Sequence, residues 1–419
     1  MSFAKVYGYD FLKKEFDVVI DVLNNYEKYK EMGVNIPKGI MLAGEPGLGK
    51  TLFATEFMDA LTNRNKYIIR KNKFDDNFIN YLNETVNGAF KNAPSVVLLD
   101  DMDKYANNDS NHTDAIEFVT IQSLLDEATG KDVFFLSTVN DFTTLPKSLY
   151  RNGRFEKYYI DYPALNDSKL IIDKYLIGKK IDSDVDSLEL AKLLRYRSPS
   201  SLEQIINNAT ITATYENKQL ITRNILIDAV LKHIYGGPEK DDEINEFKLK
   251  HAAYHEAGHA IVSEVLEKGS IVLVSIGNYS SKVGAVTCTC TSDYPIYSVE
   301  IMKNNIAISL AGKAGVELFL NIIDTGATDD LTAAGITARN IVTKYAANSF
   351  KHYAVTSSDP KTPDLVRIEE IEINAIFDEA FAKARSIIMK YQNEYLKMVD
   401  ILMKKKILSR KEIESIMNY

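Results

Sequence analysis

Tryptophan is absent from this 419-residue chain, and cysteine occurs only twice, at Cys288 and Cys290. Alternate residues of a strand point the same way, so two thiols spaced like this do not suit a disulfide between neighbouring strand positions. They read as small apolar residues in a reducing compartment. Long apolar runs are also missing. None reaches the ~18–20 residues that a membrane-spanning helix needs, and no signal peptide precedes the first motif. Nor is there an excess of positive charge: 58 acidic residues against 50 basic ones leave a net charge of −8. That balance argues against a nucleic-acid-binding surface. These absences predict a cytoplasmic chain with no membrane segment and no nucleic-acid partner.

What is present is ordinary globular material in quantity. The chain is 45% hydrophobic and 26% charged, and its length suggests two to four domains. It has only six histidines, and two of them fall in Ala253–Ala260, AYHEAGHA. His255, Glu256 and His259 form the pattern H-E-x-x-H. On a helix, positions i and i+4 share a face, so both imidazoles can reach one metal ion. The glutamate between them is placed to take a proton from a water on that ion. A histidine pair on an ordinary helix surface is the plain alternative. The glutamate in register and the small residues Ala257 and Gly258 favour the metal reading.

Upstream, residues 11–32 carry apolar positions at helical spacing and predict an amphipathic helix or helix pair, with Gly33 at its end. The short apolar strand IMLA then leads into Gly44-Glu45-Pro46-Gly47-Leu48-Gly49-Lys50-Thr51, which fits G-x-x-x-x-G-K-[ST]. Glycines let backbone N–H groups close around a phosphate at the positive end of the following helix. Lys50 is placed for the β- and γ-phosphates and Thr51 for Mg²⁺, so the loop predicts ATP with Mg²⁺ as ligand. Gly44, Gly47, Leu48, Gly49, Lys50, Thr51 and Leu52 make up the predicted cradle. Residues 96–101, VVLLDD, read as a buried strand ending in two acids. Asp100 would hold Mg²⁺ through water, and Asp101 would polarise the attacking water. The next strand, VFFLSTVN, ends at Asn140, where a polar side chain can sense the γ-phosphate. Arg151 and Arg154 follow on one loop, and their spacing suits fingers that reach the ATP of a neighbouring subunit.

From Pro163 to about Tyr235 the pattern becomes all-helical. Gly236-Gly237-Pro238 followed by EKDDE reads as a linker. The expected partition is a nucleotide-binding α/β domain at 1–162, a helical lid at 163–236, a linker at 237–246 and a metal domain at 247–419. The β-rich run IVLVSIG…GAVTCTC offers either a strand edge for an extended peptide or a plain core sheet. Residues from about 365 onward read as long amphipathic helices.

The segments IPKGIMLAGEPGLGKT, NAPSVVLLDDMD, RNGRFE, AYHEAGHA and DTGATDDL, in this order, resemble the signatures of the FtsH family of AAA+ ATP-dependent zinc proteases. The resemblance spans almost the whole chain. It implies an α/β P-loop AAA+ domain with a helical lid, followed by a mainly α-helical zinc metallopeptidase domain. It also implies Zn²⁺ beside ATP and Mg²⁺, polypeptide substrates and a homohexamer. Two histidines leave a catalytic zinc short of a protein ligand. The family pattern puts the third at Asp330, with Asp329 as a polar neighbour where the family usually has Asn. From the residues alone, either acid could instead cap the helix that follows.

Three departures stand out. Family members usually carry an N-terminal membrane segment, whereas here the ATPase motifs start almost at Met1. The acid pair is Asp100-Asp101 where the family has Asp-Glu, and a side chain one methylene shorter can misplace the attacking water. Phe74 aligns with the family's substrate-gripping aromatic, but Asp75 and Asp76 replace an apolar residue and a glycine. The reading that follows is an ATP-driven zinc endopeptidase with Glu256 as general base. The alternative is a nucleotide-switched remodelling or binding protein with weak or client-specific proteolysis.

Overall fold

A computed structural model describes residues 3–34, 37–71, 77–106, 115–150, 153–236, 246–277, 286–289, 298–323, 326–345 and 362–418. The chain divides into two compact units, Met1–Leu226 and Ile227–Tyr419.

The first unit begins with the helix pair α1 (Asp10–Asn24) and α2 (Tyr26–Glu31), which ends at Gly33 in the left-handed region with φ +77°. An α/β core follows: β1 (Gly39–Ala43), α3 (Lys50–Ala60), β2 (Asn65–Ile69), α4 (Phe78–Lys91), β3 (Ser95–Leu99), α5 (Ala115–Glu127), β4 (Val133–Val139) and β5 (Phe155–Tyr159). The five strands pair in parallel in the order β2-β3-β4-β1-β5. Every residue of β1, β3 and β4 is buried, as expected for a parallel sheet covered on both faces.

The two-residue period of the strands sorts these apolar side chains into two cores. Met41, Val97, Leu99 and Phe135 meet Leu82 and Val86 of α4 and Leu125 of α5. Ile40, Leu42, Leu98 and Leu136 meet Phe16 of α1 and Phe53 and Phe57 of α3. Phe16 is fully buried and meets Phe53, Phe57 and Tyr158 edge-on. The parallel register, with Ala43 opposite Val139 and Leu99 opposite Ser137, leaves the carboxyl ends of β1, β3 and β4 on one edge. Ligands of open α/β sheets bind at that edge. Helices α6 (Leu165–Leu176), α7 (Ser187–Leu193), α8 (Pro199–Tyr215) and α9 (Arg223–Tyr235) then follow, α9 running across the division between the units. Apart from Gly236 and Glu246, the expected linker segment lies outside the described residues.

The second unit is built on α10 (Glu246–Leu266), which carries the histidine pair. β6 (Ile271–Ser275), β7 (Val286–Thr289), α11 (Val299–Leu320), α12 (Thr328–Arg339), α13 (Pro363–Lys390), α14 (Gln392–Lys405), β8 (Ile407–Ser409) and α15 (Arg410–Met417) follow. The small sheet is antiparallel in the order β7-β6-β8. Among the described residues β6 is therefore a buried middle strand, with β7 and β8 at the edges. Cys288 lies on β7, whose side chains are outside the description, as is Cys290. Local signals set the later helix starts. Thr362 caps α13 with Pro363 in its first turn, and Ser409 and Glu412 form a reciprocal capping box at α15.

One buried ion pair ties α15 to the metal helix. Glu264, with no side-chain exposure, accepts hydrogen bonds from Arg410 Nη1 at 2.6 Å and Nη2 at 2.9 Å. The Gly269 amide adds a third at 2.7 Å. Removing one partner of such a pair strands a charge in a medium that cannot solvate it. Arg410→Ala should therefore destabilise the chain by about 3–5 kcal/mol in urea unfolding followed by circular dichroism. Lys405→Ala, which breaks the partly exposed pair with Glu412, should cost less than about 1 kcal/mol.

Candidate functional site

Helix α10 turns both histidines of H-E-x-x-H toward α11 and α12. His255 Nε2 and His259 Nε2 lie 3.0 Å apart. Asp330 Oδ2 lies 3.1 Å from the first and 3.3 Å from the second. Three donors bound tetrahedrally at about 2.0–2.1 Å from one zinc ion are themselves about 3.3–3.4 Å apart. The triangle therefore fits zinc, and it is the cluster of metal-ligating side chains found among the described residues. His259 Nδ1 donates to the Ile308 carbonyl of α11 at 2.8 Å. That bond selects the tautomer whose Nε2 lone pair faces the site. Burial alone would raise the Asp330 carboxyl, but its hydrogen bonds to His255 and His259 hold it well below the usual carboxylate range. Glu256 is buried beside His255.

The start of α12 gives the two acids different surroundings. Ala327 is its N-cap, and both Asp329 and Asp330 sit in the first turn, where the helix dipole favours negative charge. Asp329 is exposed, whereas Asp330 faces the histidines.

The imidazoles reach the site because two glycines let α10 and α11 approach closely. A Cβ on Gly258 would stand 2.3 Å from the Ala311 carbonyl oxygen. One on Gly312 would stand 2.5 Å from His255 Nε2 and 2.6 Å from His259 Nε2. Gly312 and the Ile308 carbonyl were not anticipated from the motifs. The small residues Ala311, Gly312, Ala314 and Gly315 in a largely aliphatic helix are the signal that points to close packing.

At the carboxyl edge of the parallel sheet, Lys50 Nζ donates to the Gly44 and Glu45 carbonyls at 2.6 and 2.9 Å and to Asn140 Oδ1 at 2.9 Å. Burial lowers the Lys50 ammonium from its ordinary range, against the pull of Asp101, Asp103, Glu45 and Asp100. Gly49 caps α3 at φ +88° without a side-chain bond, so the amides of the first turn remain available to a phosphate. Leu48 is buried and Leu52 exposed. Gly47 (φ +83°) lies under Ser198 and Ser200, at and just inside the start of α8. Asp100 Oδ1 accepts from Thr51 at 2.9 Å and from Thr138 at 2.7 Å. Thr138, a polar residue in an apolar strand, is a second member that the motifs did not include. Asp101, at φ +51°, pairs through its carboxylate with Lys104. Arg154 is buried and makes a two-pronged bond to Asp126 of α5 at 3.2 and 2.7 Å, with a third bond to the Ser148 carbonyl. Arg151, Phe74, Asp75 and Asp76 lie outside the described residues.

A P-loop ATPase edge and a His-His-Asp metal triangle on one chain define a nucleotide-driven metallopeptidase architecture. Residues 40–161 match the ATPase family associated with various cellular activities (AAA), and residues 243–416 match peptidase family M41. The ATP-dependent zinc metalloprotease FtsH 2 of Thermoanaerobacter sp. (strain X514) is 28% identical over 425 residues, covering 99% of this chain and 82% of that protein. The ATP-dependent zinc metalloprotease FtsH of Parabacteroides distasonis is 29% identical over 443 residues, covering 99% of this chain and 64% of its own length. The ATP-dependent zinc metalloprotease FtsH 1 of Thermomicrobium roseum is 27% identical over 445 residues, covering 99% and 68%. The chain thus carries an AAA ATPase match followed by an M41 peptidase match, and it is similar over its full length to FtsH zinc metalloproteases. No helix among the described residues is long and apolar enough to cross a membrane.

Because a methyl at position 312 collides with both imidazoles, Gly312→Ala should weaken zinc binding by tenfold or more, on the order of 1.4 kcal/mol. Competition against a chromogenic chelator would show it. Gly335→Ala, on α12 with open space around it, should leave zinc affinity unchanged.

Proposed function

We propose that this chain is an ATP-dependent zinc endopeptidase that draws polypeptides through a ring of AAA domains and cleaves them at the His255, His259 and Asp330 site. The observation that carries the reading is the metal triangle, with donor separations of 3.0–3.3 Å, in a chain that also holds a complete P-loop. Bound zinc would polarise the scissile carbonyl and make an attacking water acidic near neutral pH. His255, His259 and Asp330 would hold the ion, and the Ile308 carbonyl would keep His259 in the required tautomer. Glu256 accepts the proton of the attacking water and delivers it to the leaving nitrogen.

On the ATPase side, Lys50 is assigned to the β- and γ-phosphates, Thr51 and Asp100 to Mg²⁺, Asn140 to γ-phosphate sensing and Asp101 to the attacking water. Arg151 and Arg154 are assigned to a site shared between subunits of a homohexamer. The bonds of Arg154 to Asp126 and Ser148 would then be exchanged for contacts in the ring. The partition at 1–162, 163–236, 237–246 and 247–419 belongs to the same proposal. The four consecutive helices α6–α9 and the family limits at residues 161 and 243 support it.

Degradation of casein by the purified chain tests the coupled reading. ATP-dependent cleavage is expected, lost in Glu256→Gln and in Lys50→Ala. Cleavage that persists in Lys50→Ala would remove the coupling to ATP. Bound zinc and measurable ATPase without any cleavage would favour the second reading, a nucleotide-switched remodelling protein. The pairing of the short Asp101 side chain with Lys104 favours that second reading.

The same pairing leads to a separate expectation. A glutamate extends the reach of the carboxylate by one methylene, so Asp101→Glu should raise steady-state ATP turnover several-fold, on the order of 1 kcal/mol in barrier. Unchanged turnover in a phosphate-release assay would show that the short acid is not limiting.

A further inference from the structure

Asp100 has a third partner to which the reading above assigns no role. Arg70 follows directly on β2, and its Nε donates to Asp100 Oδ2 at 2.7 Å. The backbone brings the two residues together: the Asp100 amide donates to the Ile69 carbonyl at 3.0 Å, so residue 70 starts beside residue 100. Asp100 is 6% exposed, whereas the Arg70 side chain is 56% exposed. The carboxylate is thus a built-in part of the sheet edge, and the guanidinium is a removable cover.

A carboxylate offers about four acceptor positions. Oδ1 spends its two on Thr51 and Thr138, so a hydrated Mg²⁺ must be held through Oδ2, the oxygen that Arg70 bonds. Mg²⁺ keeps most of its water shell and reaches a carboxylate of this kind through that shell. A guanidinium on the same oxygen occupies an acceptor position and adds a positive charge next to a doubly charged ion.

We propose that Arg70 is a positioning residue that competes with Mg²⁺ for Asp100 and so sets the Mg²⁺ concentration at which the nucleotide site fills. The proposal rests on the assignment of this edge as an ATP site. It gives the chain an internal counter-ion for Asp100, one that steps aside toward solvent when Mg²⁺ arrives with nucleotide. Lysine at this position retains the charge, whereas glutamine retains length and polarity without it.

The test is a Mg²⁺ titration of binding of a fluorescent ADP analogue to the full chain, comparing wild type with Arg70→Gln and Arg70→Lys. Arg70→Gln should reach half-saturation at about tenfold lower free Mg²⁺, and Arg70→Lys should stay within about threefold of wild type. In EDTA, Arg70→Gln should bind the analogue within about twofold of wild type, because the effect runs through the ion. An unchanged or raised Mg²⁺ requirement in Arg70→Gln overturns the inference while leaving the ATP site standing. A wild-type chain that binds no analogue, indistinguishable from Lys50→Ala, overturns the ATP-site assignment and the inference with it.

Discussion

The approach of α10 to α11 is the constraint on which the catalytic half of this molecule depends. Two helices normally keep about 8–10 Å between their axes, a spacing set by the side chains at the contact. At this crossing Gly258 meets the backbone of Ala311, and Gly312 lies under the rings of His255 and His259. With no side chain at either glycine, the Ile308 carbonyl can reach His259 Nδ1, and both Nε2 atoms can point at the same place. Next along α11, a Cβ at Gly315 would stand 2.5 Å from Tyr395 Oη, whose hydroxyl donates to the Tyr254 carbonyl at 2.7 Å. Burial raises the Tyr395 phenol well above its ordinary value, so it remains a neutral donor. The metal helix is thereby held by α11 on one face, by α14 through Tyr395 and by α15 through Arg410.

The nucleotide edge is organised by different means. A parallel sheet brings the ends of β1, β3 and β4 side by side, and one buried carboxylate, Asp100, gathers donors from three separate segments. Thr51 comes from the P-loop helix, Thr138 from β4 and Arg70 from the end of β2. Each bond to an ionised acceptor is stronger than one between neutral groups. Asp100 thus fixes the positions of residues 51, 70 and 138 relative to one another, at the edge where charge has to be handled.

Much of this was legible in the sequence because the signals are local. The three buried strands β1, β3 and β4, a helix pair ending at Gly33, the P-loop and H-E-x-x-H all follow from periodicity, glycine placement and short spacings. Where the reading left alternatives, the missing information was long-range. Asp329 and Asp330 are chemically alike and adjacent, and only the start of α12 at Thr328 decides that the second faces the histidines. The run after the metal helix could be an edge or a core, and pairing with β8, more than 130 residues later, makes β6 the middle strand. Arg154 reads as a free finger from its spacing, while the fold provides Asp126 as its partner within the chain.

The sequence by itself determined the identity of the chemistry: which residues offer amides suited to a phosphate, which offer nitrogens suited to a metal, and in what order they lie. These depend on spacings of four to eight residues, which one turn of helix or one loop converts directly into geometry. Tertiary structure added the placement of Asp330 against the two histidines, the tautomer of His259 and the donors gathered on Asp100. Each of those arises where segments distant in sequence come within hydrogen-bonding distance, and that closeness is set by side-chain volume at helix crossings and by strand order.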